Sequence, residues 1–499
     1  MVRKNLIANF LGQGWSALMS FAFVPVYIKY LGLEAYGLIG LFALMQSWLS
    51  LLDVGMTPTL GREMARFSGG TESVQSIRDL LRTFELITAG IAVLIAGGVS
   101  LGSNWMATHW IQAKDLSTPM VSQAFAIIGL VLALRFVEGI YRSSIVGLQK
   151  QVLFNTINSG LATLRAVGAV AILVWVSPTI EAYFQWHAVI SIVSVMILGL
   201  YTYRSLPSAQ RPAKFSLIAL KRVWRFAGGM LAIAILALLL TQVDKILLSN
   251  LLSLSKFGQY TLASTLALTI FVAINPICQA VYPRLCEFNA GNNQNGLINT
   301  YHQSAQLVSI VAGTTAIMLI MFGEPILRIW TQNPTLAHDV APLLRLLVLG
   351  NLLNSLNWIP YQTQLAYGWT SLSVKINIVA IGFVVPAILF VTPRFGAFGA
   401  AWVWSALNAG YLFLGVHFMY KKILKNERIK WYFNDICLPL AAPFAVSVLF
   451  YGLSANWLAG SLFDCVFLAL AYFSMFTSSV IASGSIRNLV SGFISRLRS

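Results

Sequence analysis

Charge is what this sequence has least of. Only 10% of its 499 residues are Asp, Glu, Lys or Arg, while 58% are hydrophobic; a soluble domain carries roughly a quarter charged residues. That shortage excludes a water-soluble protein of this length. Cysteine is scarce too: Cys278, Cys286, Cys437 and Cys465 stand singly without metal spacing, which excludes a disulfide framework and leaves them as small hydrophobes. No GxxxxGK[ST] and no GxGxxG followed by an acid is present, so no nucleotide-driven motor lies in this chain. Segments of alternating polarity about ten residues long are missing, which excludes a β-barrel. No small-x-small site follows the first apolar stretch before Lys29, so that stretch reads as a retained span and not as a cleaved leader.

What is present comes in apolar blocks of about 20 residues, the length that crosses roughly 30 Å of hydrocarbon as a helix. Backbone groups in lipid must be satisfied within their own segment, so these blocks are helical. Spans are expected near 6–28, 35–60, 83–101, 119–147, 152–175, 182–203, 226–249, 257–282, 301–323, 340–366, 371–392, 396–420, 436–454 and 461–483. The fold class is therefore an all-α polytopic membrane protein of about fourteen transmembrane helices.

The net charge of +17 falls almost wholly on one side. Counting alternate connections from the N-terminus, one set holds 22 Lys and Arg and the other only Lys29, Lys114, Lys256, Arg328 and Arg394. This positive-inside asymmetry places both termini in the cytoplasm. It also makes the basic clusters anchors to an anionic leaflet of membrane lipids, not a surface for nucleic acid. The longest connections, 61–82 and 204–225, are too short to hold a catalytic or nucleotide-binding domain. The second carries Pro207, Pro212 and six basic residues and reads as a cytoplasmic linker. The expected organisation is an N-terminal six-helix lobe at 1–205, the basic linker at 206–225, a C-terminal six-helix lobe at 226–422, and two further helices with a cytoplasmic tail at 423–499. A faint repeat supports two lobes: shifted by 221 residues, Leu33-x-x-Tyr36-Gly37 falls on Leu254-x-x-Phe257-Gly258.

Polar residues recur at helical spacing within several spans. Asn9 and Gln13 lie on one stripe, Gln46 and Asp53 on another, Asn155 and Asn158 on a third, and Asn351 and Asn354 on a fourth. Each stripe alone fits helix–helix hydrogen bonding; together they fit the lining of a hydrated cavity. Six cations lie inside spans: Arg135, Arg142, Arg165, Lys245, Arg345 and Lys375. Asp53, Glu138 and Asp244 are among the acids there. A charge at the bilayer centre costs about 2.5–3.5 kcal/mol and so faces water or a partner. Arg142 and Lys375 lie near cytoplasmic ends and can snorkel, and Asp244 beside Lys245 can form a local pair. Arg135 and Arg165 lie too deep for that. An Arg135–Glu138–Arg142 ladder along one helix is the structural alternative, but it leaves Arg165 without an acid in its own span. Surplus buried cation suits an anionic substrate, and the Arg fork matches phosphate oxygens.

Three stretches are distinctive: Pro25-Val26-Tyr27-Ile28-x-x-Leu31-Gly32-x-x-x-Tyr36-Gly37-Leu38, Leu51-Leu52-Asp53-x-Gly55, and Thr59-Leu60-x-Arg62-Glu63-x-Ala65-Arg66. With Gly396-x-x-Gly399-Ala400-Ala401, they resemble the polysaccharide transporter family of Wzx-type O-antigen repeat-unit flippases. That family lies in the multidrug/oligosaccharidyl-lipid/polysaccharide (MOP) exporter superfamily. The resemblance implies a MATE-like pair of lobes in the bacterial inner membrane. It also implies alternating-access flipping of an undecaprenyl-diphosphate-linked oligosaccharide to the periplasmic leaflet. The last two helices would border a groove for the polyprenyl tail. No cofactor is implied, and an H⁺ or Na⁺ gradient would act through Asp53, Glu138 or Asp244. Partners would be the lipid-linked substrate, membrane lipids, the polysaccharide polymerase and its chain-length regulator. Competing readings are a flippase for another lipid-linked glycan (peptidoglycan precursor, capsule, exopolysaccharide), a drug antiporter of the same superfamily, and a membrane O-antigen polymerase or ligase. The antiporter fits the surplus positive charge poorly. The enzymes need a large periplasmic loop, and none here exceeds about 17 residues.

Overall fold

The computed structural model describes residues 2–53, 55–68, 73–208, 211–217, 221, 235, 242–454 and 462–488. Most of the expected span at 226–249, Arg222 and Arg225 of the linker, and the tail beyond 488 lie outside the described residues. Helices account for nearly everything else. They are α1 (Val2–Ala22), α2 (Val24–Leu52), α3 (Met56–Ser68), α4 (Val74–Trp105), α5 (Thr118–Gly147), α6 (Gln151–Trp175) and α7 (Ile180–Ser205), followed by α8 (Leu254–Ala267) and α9 (Thr269–Ala290). Then come α10 (Gln294–Thr331), α11 (Pro334–Leu356), α12 (Trp358–Ala366), α13 (Thr370–Gly410), α14 (Val416–Lys422), α15 (Leu438–Ser454) and α16 (Leu462–Ala482). Eleven helical segments among the described residues are long and apolar enough to cross a membrane. The chain is a multi-pass, all-α membrane protein.

Two glycines set where helices turn back. The 41 residues of α13 would reach about 60 Å as a straight rod, twice a hydrocarbon core. Gly396 breaks it with φ 57° and ψ −142°, a conformation other residues avoid. The Tyr411 hydroxyl then donates to Asn377 Oδ1 at 3.2 Å, so the two arms lie side by side as a hairpin. Gly32 (φ 81°) divides α2 in the same way, between the first two expected spans. These two spans, like 371–392 and 396–420, are thus joined by a glycine turn and not by a loop.

By compactness the chain divides into residues 1–258 and 259–499. In the first unit α5 is central, packed by α3, α4 and α7, while α1 runs along α6. Asn9 pairs with Gln151, Ser16 with Asn158 and Trp15 with Thr163, so α1 and α6 ascend together. That parallel course is what spans one and five of an alternating series require. The repeat noted in the sequence is also a packing motif. A Cβ on Gly37 would lie 2.5 Å from the Leu254 carbonyl oxygen, and one on Gly258 would lie 2.5 Å from that of Leu33. Each glycine thus seats the opposite motif's backbone. In the second unit α10 is enclosed by α9, α11, α15 and α16. Large apolar side chains face outward everywhere, Leu101, Phe383 and Phe463 among them, as a lipid-facing coat demands. Trp105 and Trp175 stand exposed at helix ends, where indoles favour the membrane interface.

Candidate functional site

Three consecutive helices of the first unit bring charge together. Pro119 opens α5 in its first turn, where a missing N–H costs nothing. A left-handed turn at Gln149 (φ 59°) then returns the chain into α6. Thr179 caps α7 by accepting the Ala182 N–H, with Glu181 in the first turn. On these supports α5 presents Arg135 and Glu138, α6 presents Arg165, and α7 presents Tyr183, His187, Ser191 and Ser194. Arg165 Nη2 lies 3.9 Å from Glu138 Oε2 and donates to Ser194 Oγ at 3.4 Å. The acid of α5 therefore faces the neighbouring helix, while its charge also acts on Arg135 along α5. Arg142, the outer member of the expected ladder, is exposed, with its guanidinium 5.3 Å over the Phe154 ring.

The cluster is polar and undersatisfied. Among the described residues, Arg135 Nε, Arg165 Nε, Glu138 Oε2, Ser191 Oγ and both ring nitrogens of His187 are sealed from solvent without a hydrogen-bond partner. Native proteins leave few such groups, and each one requires an explanation. Aromatic rings pack around the cluster: Tyr183 stands 5.2 Å from Tyr27 and 4.4 Å from His187, and Phe42 lies 6.3 Å from His187. His187 sits within the field of both guanidiniums. Two cations against one carboxylate leave positive charge in excess, with the Nε–H of each guanidinium unpartnered among the described residues. Such a set can take an oxyanion, phosphate above all.

The other expected cations are placed separately. Lys245 Nζ donates to Gln242 Oε1 at 3.3 Å, and Asp244 beside it in the chain is part-buried. In the second unit Arg345 is exposed, with Nε donating to the Ile320 carbonyl at 3.1 Å. Lys375 stands on the rim of an otherwise apolar, outward-open groove of about 620 Å³ between the arms of the α13 hairpin, lined by Val379, Phe383, Leu407, Leu414 and Phe418. Asp53 closes α2 onto α3, its carboxylate accepting the Thr57 N–H and, at 2.6 Å, the Thr57 hydroxyl.

The polar stripes are largely engaged with one another. Asn9 donates to Gln151, and Asn155 donates to Asn9 Oδ1 at 2.6 Å. Asn158 reaches Ser16, Gln13 is exposed and Gln46 is part-buried. In the second unit Asn351 donates to the Ala267 carbonyl and accepts from the Trp404 indole. Asn354 likewise joins Asn408 and Trp358. The α7 stripe was missed by sequence reasoning, although Tyr183, His187, Ser191 and Ser194 fall within about 80° of helical arc. Tyr27, on a different helix, gave no such signal.

A family model described as "Polysaccharide biosynthesis protein" matches residues 2–289, more than half of the chain. The chain belongs to that family. A second model, MatE, matches residues 230–390. A Shigella flexneri protein named "Putative O-antigen transporter" is 20% identical over 406 residues, 81% of this chain and 94% of its own length. Among solved structures, lipid II flippase MurJ in an inward closed conformation superposes with TM-score 0.65 at 13% identity, covering 97% of this chain and 99% of that one. An inward-facing multidrug resistance MATE transporter of the MOP superfamily also gives 0.65, at 14% identity over 83% and 96%. The chain therefore shares the fold of these two structures along nearly its whole length.

Proposed function

We propose that this protein is a flippase that moves an undecaprenyl-diphosphate-linked oligosaccharide, an O-antigen repeat unit or a close equivalent, from the cytoplasmic to the periplasmic leaflet of the bacterial inner membrane. The observation that carries the reading is the Arg135–Arg165–His187 cluster. It places excess positive charge and open N–H donors inside a helical bundle, at a depth where lipid alone would not tolerate them. A diphosphate or acidic sugar crossing the bilayer needs such a path, while its polyprenyl chain can stay in hydrocarbon. The apolar groove beside Lys375 offers that chain a second lane with a cation at its rim, besides the expected groove along α15 and α16. Translocation needs no covalent step, so the role proposed for Arg135, Arg165 and His187 is binding and not catalysis.

Alternating access, with both termini in the cytoplasm, accords with the basic connections and the parallel course of α1 and α6. Glu138 is the acid best placed to couple an ion to the substrate, because it faces Arg165. A proton or Na⁺ on Glu138 removes its claim on the guanidinium and frees the fork for the anion. Asp53 and Asp244 are weaker candidates, Asp53 because both its oxygens are engaged by Thr57. The polymerase and its chain-length regulator would receive the flipped unit. The MurJ-like fold favours one second reading, a flippase for another lipid-linked glycan such as a peptidoglycan precursor.

A deletion strain assayed for leaflet distribution tests this. Repeat units should accumulate on the cytoplasmic leaflet and long surface glycan should disappear. Repeat units arriving in the periplasm at the wild-type rate, yet unpolymerised, would replace the flippase reading with the polymerase or ligase.

A further inference from the structure

The second unit holds a buried ionic cluster that the flipping mechanism leaves unused. His302, on α10, is buried, and both of its ring nitrogens face carboxylates: Nδ1 meets Asp435, and Nε2 lies 2.8 Å from Glu427 Oε2. Asp435 is fully enclosed, in the π-helical turn Trp431–Cys437 that leads into α15. Its other oxygen accepts from Gln306 Nε2 at 2.9 Å, and Gln306 Oε1 in turn accepts the Ser485 N–H at 3.1 Å, just past the end of α16. Lys430 Nζ stands 3.4 Å from Glu427. Around the cluster stand the further titratable groups Tyr301 and Tyr420, whose hydroxyls bond each other, and Tyr432, which has Arg428 near it. One node on α10 therefore ties both the entrance of α15 and the exit of α16.

Proton counting makes this node a switch. A neutral imidazole offers one N–H and one lone pair, so it can satisfy only one of two carboxylates, and its lone pair would oppose the other. Both contacts are favourable only when the set holds one extra proton, as imidazolium or as one carboxylic acid. With that proton, the imidazolium and Lys430 balance the two carboxylates. Without it, a buried negative charge is left over and an oxygen faces a nitrogen lone pair, a costly state in an enclosed site.

We propose that His302, Asp435 and Glu427 form a proton-binding site whose occupancy fastens the C-terminal helix pair, α15 and α16, to α10. The bound proton leaves as pH rises, and fastening is lost with it. On the acid side, burial pushes the Glu427 carboxyl up, but the hydrogen bond from His302 and the charge of Lys430 outweigh it and hold it below the usual carboxylate range. Its contribution is thus present above the ordinary value of about 4.3 and is lost only as pH falls through the lowered one. Between these limits the pair is held.

Hydrogen–deuterium exchange on the full chain in phosphatidylethanolamine/phosphatidylglycerol nanodiscs, corrected for intrinsic rate, tests the proposal between pH 5.5 and 9. Segments 427–437 and 483–488 should be protected at the acid end and exchange about tenfold faster or more at the alkaline end, with α5 as the unaffected control. Glu427→Gln is the decisive variant. Its amide donates to Nε2 while Nδ1–H donates to Asp435, so every contact is met without the extra proton and protection should persist at all pH values. His302→Ala, which leaves both carboxylates without the imidazole donor, should exchange fast throughout. Wild-type protection that does not change with pH overturns the proposal, as does a Glu427→Gln variant that keeps the wild-type pH response.

Discussion

In residues 1–258 the buried polar groups around Arg135 and Arg165 meet few protein partners among the described residues, whereas in residues 259–499 His302, Asp435, Glu427 and Gln306 meet one another. The first cluster has cations in excess and open N–H donors. The second balances His302 and Lys430 against Asp435 and Glu427, with Gln306 filling the remaining oxygen. A closed network holds helices in place, because removing any member strands the rest. An open one leaves its groups available to an external partner, the role proposed for Arg135 and Arg165. The contrast separates two roles that composition alone would lump together as charge in the membrane.

The largest expected effect breaks the comparison most directly. Asp435→Ala should cost about 3–5 kcal/mol, as removal of one partner of a buried ionic pair does, and should visibly lower protein abundance. Arg135→Ala should leave abundance within about twofold of wild type while reducing flipping on the order of a hundredfold, about 2.7 kcal/mol in rate terms. Arg135→Lys should retain part of that activity, keeping the charge but losing the fork. Quantitative immunoblots alongside the leaflet assay read both. Normal flipping in a well-expressed Arg135→Ala protein removes the cluster from the substrate path. Destabilisation that Glu138→Ala repairs would make Arg135 structural.

A smaller effect sharpens the contrast at one imidazole. His187→Phe places an apolar ring among Phe42, Tyr183 and Phe184 and removes two unpartnered nitrogens. Thermal unfolding should be unchanged or improved by about 1 kcal/mol, with flipping reduced several-fold. A loss of stability would show that His187 already has its partners. The smallest effect belongs to the helix–helix stripes. Asn158→Ala forfeits one interhelical bond to Ser16, worth about 0.6 kcal/mol in membrane proteins, and flipping should stay near wild type. A large transport defect there would return the stripe to the cavity.

Much of the architecture was legible in the linear chain. Bilayer thickness fixes span length, so blocks of apolar residues mark the helices directly. The glycines of Leu31-Gly32 and Gly396-x-x-Gly399 fall where the helices turn, and Leu33-x-x-Tyr36-Gly37 and Leu254-x-x-Phe257-Gly258 prove to pack against each other. Depth also singled out Arg135 and Arg165, because an uncompensated charge there must face something other than lipid. The direction of Glu138 was not legible. Spacing along α5 offered Arg135 and Arg142 as partners, and only the packing of α6 against α5 sets Arg165 opposite it.

The sequence by itself determined the solvent, the helices, their turns and the surplus of buried cation, since each depends on residue type and local spacing. Tertiary structure alone decided which polar groups are spent on neighbours and which remain open. Asn9 and Asn155 became each other's partners, and His187 joined two arginines from other helices. His302, unremarkable in the chain, acquired carboxylates 125 and 133 residues away. A hydrogen bond reaches about 3 Å whatever the sequence separation, so satisfaction is a property of the packed helices and cannot be read from any one of them.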